Sequence, residues 1–171
     1  MKIVICDDNL NIISEIKEML NEYSAIKNVP LEILAFDNGN AVLDSNENYN
    51  IAILDVEMPD MNGIALGEEL RKRNKQIVLI YLTAHSQYLD SALNLNAARF
   101  FEKPIDKDRF FSGMDNALER IDNTTINFFI RDDKTQVRIT AESIVYIEIS
   151  HRKTKVVTED KTYFTTHTLD Y

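Results

Sequence analysis

The sequence has no tryptophan, a single cysteine, four glycines and three prolines. A chain so poor in glycine and proline is neither collagen-like nor a low-complexity linker. Cys6 has no second cysteine with which to form an internal disulfide, which fits a reducing cytoplasm. No apolar run approaches the roughly 18 residues that span a bilayer, and Met1–Lys2 leads straight into a strand-like stretch; neither an anchor nor a secretory leader is expected. Basic residues are also scarce. With 19 Lys+Arg against 28 Asp+Glu the net charge is −9, which argues against a chain that coats nucleic acid or anionic lipid over its whole surface. The deficit is uneven: residues 1–122 hold 12 basic and 21 acidic side chains, and residues 123–171 hold seven of each. What the chain does have is apolar material. At 171 residues and 44% hydrophobic, it can bury a real core and accommodate one domain plus a smaller piece.

The first 122 residues alternate strand-like and helix-like segments. Lys2–Cys6 is a short β-branched run that ends at two acids. Over residues 9–23, Ile13, Ile16, Leu20 and Tyr23 recur at helical spacing. A strand over 31–36 and a short helix near 41–46 follow. Residues 51–54 are wholly apolar, as in a strand covered on both faces. A turn over 58–63, a helix over 64–73, a strand over 77–82, a weaker helix over 86–94, a strand over 98–101 and a helix over 106–121 complete the series. Five β–α units in order predict an α/β fold: a flavodoxin-like, five-stranded, doubly wound parallel sheet with right-handed crossovers. Residues 123–125 are a polar linker. From 126 the pattern changes to short alternating strands over 126–130, 135–139, 144–149, 154–158 and 163–165, an antiparallel all-β module. No glycine follows Gly113, so its turns are expected to rest on Asp, Asn and Lys. Residues 166–171 resemble a helix start, and the second module, 126–171, is expected to be incomplete.

In doubly wound sheets the working residues lie beyond the carboxyl ends of the strands. Those ends are Asp7–Asp8, Asp55, Thr83 and Lys103–Pro104. Two carboxylates about 4 Å apart repel by roughly 4 kcal/mol at an effective dielectric near 20, so three together need a counter-charge. A hard divalent cation, Mg²⁺, suits an all-oxygen site. The ion and Lys103 can hold the oxygens of a phosphoryl group, Thr83 can donate to one of them, and one carboxylate can act as nucleophile and form an acyl phosphate. Any one of these residues alone would be read as a helix cap or a solvated turn. Their convergence, with complementary charges, is what carries the reading.

The segments ICDDN, ILDVEMPDMNG, YLTAH and FFEKP together resemble the signature of two-component response-regulator receiver domains over about residues 1–122. The resemblance implies that Asp55 is the phospho-acceptor, at the head of a D-x-x-M-P-x-x-x-G turn with Met58, Pro59 and Gly63. It implies that Asp7, Asp8 and Asp55 hold Mg²⁺ with the backbone carbonyl of Glu57, Asp8 directly and Asp7 through water. Thr83 becomes the switch hydroxyl, Lys103 the phosphate-binding lysine, and Lys103–Pro104 a cis peptide. Phe100 matches the aromatic that turns inward on activation, where many members have Tyr; an ordinary core aromatic is the competing reading. Arg99 replaces a commoner acid. The face formed by residues 86–94, the fifth strand and residues 106–121 is then the one that a partner reads, or through which a homodimer forms. A sensor histidine kinase is the implied phosphodonor, and the chain is expected not to be an enzyme beyond its own Mg²⁺-dependent phosphorylation and slow autodephosphorylation.

The second part resembles the opening half of a LytTR-type DNA-binding domain. The matching residues are Ile144–Val145–Tyr146–Ile147–Glu148, His151–Arg152–Lys153, and Tyr163–Phe164–Thr165–Thr166 ahead of Thr168–Leu169. That resemblance implies a DNA-binding output for transcription regulation, with His151 as a base contact and Arg152 and Lys153 as phosphate contacts. The family's later strands and helix are not in this sequence. Two rival readings of the sequence stay open. One is a stand-alone receiver acting as a phosphorylation-dependent binding module. The other is a phosphatase of the haloacid dehalogenase type, which would need a D-x-D pair at the first strand's end, where this chain has Asp7–Asp8–Asn9. Cys6 is read as core, His85 as a loop residue, and Phe111 either as part of a self-association face or as added core.

Overall fold

In a computed structural model, the residues described are 1–59, 61–84, 99–124, 127–132, 135–150, 153–158 and 160–165. The chain divides into two compact units, Met1–Ile121 and Asp122–Tyr171.

The first unit contains β1 (Lys2–Cys6), α1 (Leu10–Lys27), β2 (Glu32–Phe36), α2 (Gly39–Asp44), β3 (Ile51–Asp55), α3 (Gly63–Arg73), β4 (Val78–Thr83), β5 (Arg99–Glu102) and α4 (Lys107–Thr124). Its five strands pair in parallel in the order β2-β1-β3-β4-β5. This is the expected sheet. The helix expected over 86–94, with His85, lies outside the described residues.

The two faces of the sheet follow from the two-residue period of a strand. Ile3, Ile5, Ile53, Ile80 and Leu82 point to one side, where Ile16, Leu20 and Tyr23 of α1 and Phe110 and Met114 of α4 cover them. Val4, Cys6, Leu54, Leu79 and Tyr81 point to the other, against Val42 of α2 and Leu66 and Leu70 of α3. Helices cover both faces, so the central strands β3 and β4 are buried throughout. Each large apolar side chain removed from water here contributes about 1.5–3 kcal/mol. Phe111 is half-buried and meets Tyr23 edge-on at 5.3 Å; it thickens this core.

Three helices begin on asparagine. The side chains of Asn9, Asn38 and Asn62 accept hydrogen bonds from the backbone N–H of Asn11, Ala41 and Ile64, which supplies partners for donors that a helix start leaves unsatisfied. α1 runs to Lys27, four residues past the expected end. Its last turn is exposed and carries no apolar period, and it stops only where Asn28 adopts φ 53°. β3 and β4 each run one residue further than expected, so Asp55 and Thr83 are the final residues of their strands.

The second unit is antiparallel. β6 (Asn127–Asp132) pairs with β7 (Thr135–Thr140). After a 3-10 turn at Ala141–Ser143 come β8 (Ile144–Ser150), β9 (Lys153–Thr158) and β10 (Thr162–Thr165), in the order β10-β9-β8. Ile130, Ile139 and Val156 form its small core. In the turn between β9 and β10, the Lys161 ammonium lies 5.0 Å from the centre of the Tyr163 ring. Among the described residues, the Thr158 hydroxyl also ties this turn, donating to the Lys161 carbonyl at 2.8 Å and accepting from the Lys161 N–H at 3.1 Å. The turn residues 133–134 and 151–152 and the helix start expected at 166–171 lie outside the described residues.

Candidate functional site

The ends of four of the five strands, β1, β3, β4 and β5, contribute chemically active groups, and the local backbone positions them. β1 ends at Cys6, and Asp7 follows with its N–H donating to the Phe36 carbonyl at 3.3 Å. Asp7 Oδ1 accepts the N–H of Asn9 at 3.0 Å, and the same Asn9 caps α1. One oxygen of Asp7 is thus committed to the turn and the other, Oδ2, is turned to the crevice. Asp55 closes β3. The next residue, Val56, donates to the Leu82 carbonyl at 2.9 Å and accepts from Gly63 at 3.2 Å, which folds the 56–63 turn back on itself. A Cβ at Gly63 would overlap the Asp55 carbonyl oxygen, so only glycine allows α3 to begin this close to the strand end. Thr83 closes β4, fully buried. Its carbonyl accepts the Lys103 N–H at 2.8 Å, which ties the lysine's backbone to the hydroxyl-bearing strand. The peptide after it, Lys103–Pro104, is cis.

Side chains from β1, β3 and β5 meet here. Lys103 Nζ lies 2.7 Å from Asp7 Oδ2 and 3.1 Å from Asp55 Oδ1. Asp7 is fully buried and Asp55 is 4% exposed, while Asp8 is exposed. Ligand oxygens of Asp7, Asp8 and Asp55 all lie within 4.8 Å of one another. Burial pushes the Asp55 carboxyl above the usual carboxylate range and Asp7 adds to the rise, while Lys103 and the Glu57 N–H pull it back. Burial opposes the charge on Lys103 as well, but the carboxylates of Asp7 and Asp55 outweigh it and hold the ammonium's pKa above its ordinary value. The Cys6 thiol is pushed up to about 12, by burial first and then by Asp7, Asp37, Asp55 and Asp8. It sits 3.4 Å from Met58 Sδ. A buried thiol of that basicity is a core side chain, not a nucleophile.

Three carboxylates and one ammonium leave a surplus of negative charge in a crevice. Asp7 Oδ2 is buried and has no hydrogen-bond partner beyond its ion pair with Lys103. An oxygen-only cluster with an unsatisfied buried carboxylate oxygen fits a hard divalent cation such as Mg²⁺. The expected site residues Asp7, Asp8, Asp55 and Lys103 are therefore brought together, and the Thr83 backbone is bonded to that of Lys103. Glu57 stands two residues after Asp55, and its N–H bonds the Asp55 carboxylate.

Phe100 is half-buried on β5 and stacks on the Tyr81 ring with centroids 4.9 Å apart; Arg99 beside it is exposed. Nothing in the sequence marks Tyr81 as a partner of Phe100. It reads as an ordinary core aromatic, and only Gly67, where a Cβ would strike the Tyr81 hydroxyl, marks the space it needs. Asn9 has a sequence signal: an Asn two residues after Asp7 and immediately before an apolar-periodic run. Of the three candidate DNA contacts, His151 and Arg152 lie outside the described residues. The backbone of Lys153 opens β9 opposite Ser150, and its side chain lies outside what is described.

Comparison with known proteins agrees with this geometry. A family model described as the response regulator receiver domain matches residues 3–115. The transcriptional regulatory protein LytR of Staphylococcus aureus is 31% identical over 136 residues, covering 77% of this chain and 54% of the relative. Accessory gene regulator protein A of the same species is 28% identical, covering 92% of this chain and 72% of the relative. The chain spans about half the length of the first curated relatives it matches. Among solved structures, the response regulator TrrA of Thermotoga maritima, in complex with Mg²⁺-BeF, is 30% identical with a TM-score of 0.59 over 68% of this chain and 97% of that one. The response regulatory domain of mrkE from Klebsiella pneumoniae has a TM-score of 0.65 at 21% identity, over 72% of this chain and all of that one, a likeness of fold.

Proposed function

Because the chain belongs to the response regulator receiver family, we propose that residues 1–122 accept a phosphoryl group on Asp55 from a sensor histidine kinase. We propose further that residues 126–171 are the first part of a LytTR-type DNA-binding output, joined by 123–125, and that the whole protein regulates transcription from the cytoplasm. No helix among the described residues is long and apolar enough to cross a membrane. The observation that carries the reading is the bridge made by Lys103 between Asp7 and Asp55 at 2.7 and 3.1 Å. It sets a carboxylate nucleophile, its counter-charge and two further carboxylates in one crevice.

In the proposed reaction an Asp55 carboxylate oxygen attacks the donor phosphorus. The new P–O bond forms as the donor's P–N bond breaks, or its P–O bond for a small acyl phosphate, and the leaving group keeps the electron pair. Lys103 opposes the rise that burial causes in the Asp55 pKa and afterwards pairs with the phosphoryl oxygens. Asp7, Asp8, Asp55 and the Glu57 carbonyl would hold Mg²⁺, which supplies charge neutralisation for the transferring group. The Thr83 hydroxyl donates to a phosphoryl oxygen. Its movement frees space for Phe100, and the surface of β5 and α4 changes. Hydrolysis of the same acyl bond resets the site slowly. Incubation with a small phosphodonor and Mg²⁺ tests the assignment: labelling is expected in the wild type and lost in Asp55→Asn. Catalytic turnover of a generic phosphoester would favour the phosphatase rival instead. DNA contact by His151, Arg152 and Lys153 predicts a salt-dependent gel shift that weakens when the three are neutralised.

A further inference from the structure

Tyr81 on β4 and Phe100 on β5 stand directly opposite one another, so their side chains leave the sheet on the same face. Tyr81 lies in the core that Leu66 and Leu70 of α3 complete, and Phe100 packs at its margin, half-buried. The two ring centroids are 4.9 Å apart and the planes are tilted by 32°. That separation is within the range of about 4.5–7 Å over which aromatic rings attract one another.

The two rings differ in freedom. Tyr81 is 1% exposed, and α3 crosses so close that a Cβ at Gly67 would lie 2.2 Å from the tyrosine hydroxyl oxygen and 3.1 Å from Cζ. Glycine at 67 leaves the space that the tyrosine fills, and the ring is wedged between helix and sheet. Phe100 is partly open to solvent, so of the two it is the ring with room to turn. Thr83 stands two residues beyond Tyr81 on β4, hence on the same face and about 6.6 Å further along the strand. An aromatic side chain at 100 reaches that diagonal position. Its ring cannot fill the space beside Thr83 and stay stacked on Tyr81 at once.

We propose, on the reading of Asp55 as phospho-acceptor and Phe100 as the aromatic that turns, that Tyr81 is a positioning residue of the switch: its ring holds Phe100 back in the unphosphorylated protein. The stack is given up when Phe100 turns toward Thr83. Tyr81 acts through Phe100, and its ring is responsible, not its hydroxyl. A ligand that binds the turned state must first break the stack, so its apparent affinity is reduced by the fraction of molecules not yet turned.

The test titrates the full chain with beryllofluoride at saturating Mg²⁺, a stable stand-in for the phosphoryl group on Asp55, and follows it by NMR. Tyr81→Leu removes the ring and keeps an apolar side chain. It lowers stability, yet it is expected to bind beryllofluoride about two- to tenfold more tightly than the wild type. Free Tyr81→Leu is also expected to show part of the change at β5 and α4 that the wild type shows only when loaded. Tyr81→Phe should keep the wild-type affinity. Leu70→Ala, which opens the same core from α3, should lose stability without binding more tightly. The wild type gives an independent reading that needs no variant to fold: the nuclear Overhauser contact between the Tyr81 and Phe100 rings is expected in the free protein and lost in the loaded one. Unchanged or weaker binding by folded Tyr81→Leu, equal tightening in Leu70→Ala, or a ring contact that survives loading would overturn the role of Tyr81 and leave Asp55 as acceptor. A wild type that binds Mg²⁺ but not beryllofluoride would overturn the phospho-acceptor reading itself, and the role of Tyr81 with it.

Discussion

Replacing Asp55 by asparagine removes the proposed phospho-acceptor, yet it should make the metal-free protein more stable. Lys103 Nζ at 3.1 Å attracts the Asp55 charge by about 5 kcal/mol at an effective dielectric near 20. Asp7, within 4.8 Å, repels it by about 3–4 kcal/mol on the same scale. Asp8 is exposed and its repulsion is screened to about 1 kcal/mol or less. The Coulomb contributions nearly cancel, so burial decides. An ion as enclosed as Asp55, 4% exposed, carries a desolvation penalty of several kcal/mol, much of which an amide of the same shape avoids. Allowing for the hydrogen bonds the amide makes less well, the net gain is about 1–3 kcal/mol. The sign of the pH dependence follows from the direction of the shift. Burial raises the Asp55 pKa, so the ionised folded state is penalised above that pKa and relieved as pH falls through it. The advantage of asparagine is therefore full at neutral pH and disappears in acid. Urea unfolding in EDTA, followed by far-UV circular dichroism, measures it, because α1 to α3 and nearly all of α4 lie in the first unit. Mg²⁺ should close the gap by stabilising the wild type more. An asparagine variant less stable than the wild type in EDTA, or a difference that does not change with pH, would mean that burial of the Asp55 charge does not cost the folded state what is expected.

Gly63→Ala puts a methyl group into the Asp55 carbonyl and should destabilise the first unit by about 3 kcal/mol or more, read as a lower urea midpoint with unchanged slope. Lys103→Met leaves two buried carboxylates without their counter-charge; since the lysine is 17% exposed, the loss should be about 2–4 kcal/mol. Adding Asp55→Asn should recover part of it in a double-mutant cycle. Thr83→Ala should still be labelled at Asp55 by a small phosphodonor, but its tryptophan-free chain should lose the phosphorylation-linked change at β5 and α4 in hydrogen exchange.

Where one physical signal dominated, the sequence was readable. The apolar stretches at 51–54 and 77–82 mark buried strands because parallel sheets are covered on both faces, and the acids, hydroxyl and lysine just beyond them mark the crevice. What escaped depended on tertiary partners. α1 continues to Lys27 on an exposed turn without apolar period, ended by the left-handed Asn28. Asn9 matters because its N–H orients Asp7 and its side chain caps a helix at once. The Tyr81–Phe100 stack joins residues from neighbouring strands, and no local spacing announces it. In the β9–β10 turn a threonine hydroxyl adds bonds to the Lys161 backbone that the charged residues around it do not announce.

Asp55 is the residue proposed to take the phosphoryl group. After reaction of the full chain with a small acyl phosphate and Mg²⁺, borohydride reduction converts a phosphorylated aspartate to homoserine, and peptide mass spectrometry locates it. Homoserine is expected at position 55, dependent on Mg²⁺ and absent when the donor is omitted. Homoserine at Asp7 or Asp8 instead, or none anywhere while the chain is folded and Mg²⁺ is bound, would contradict it.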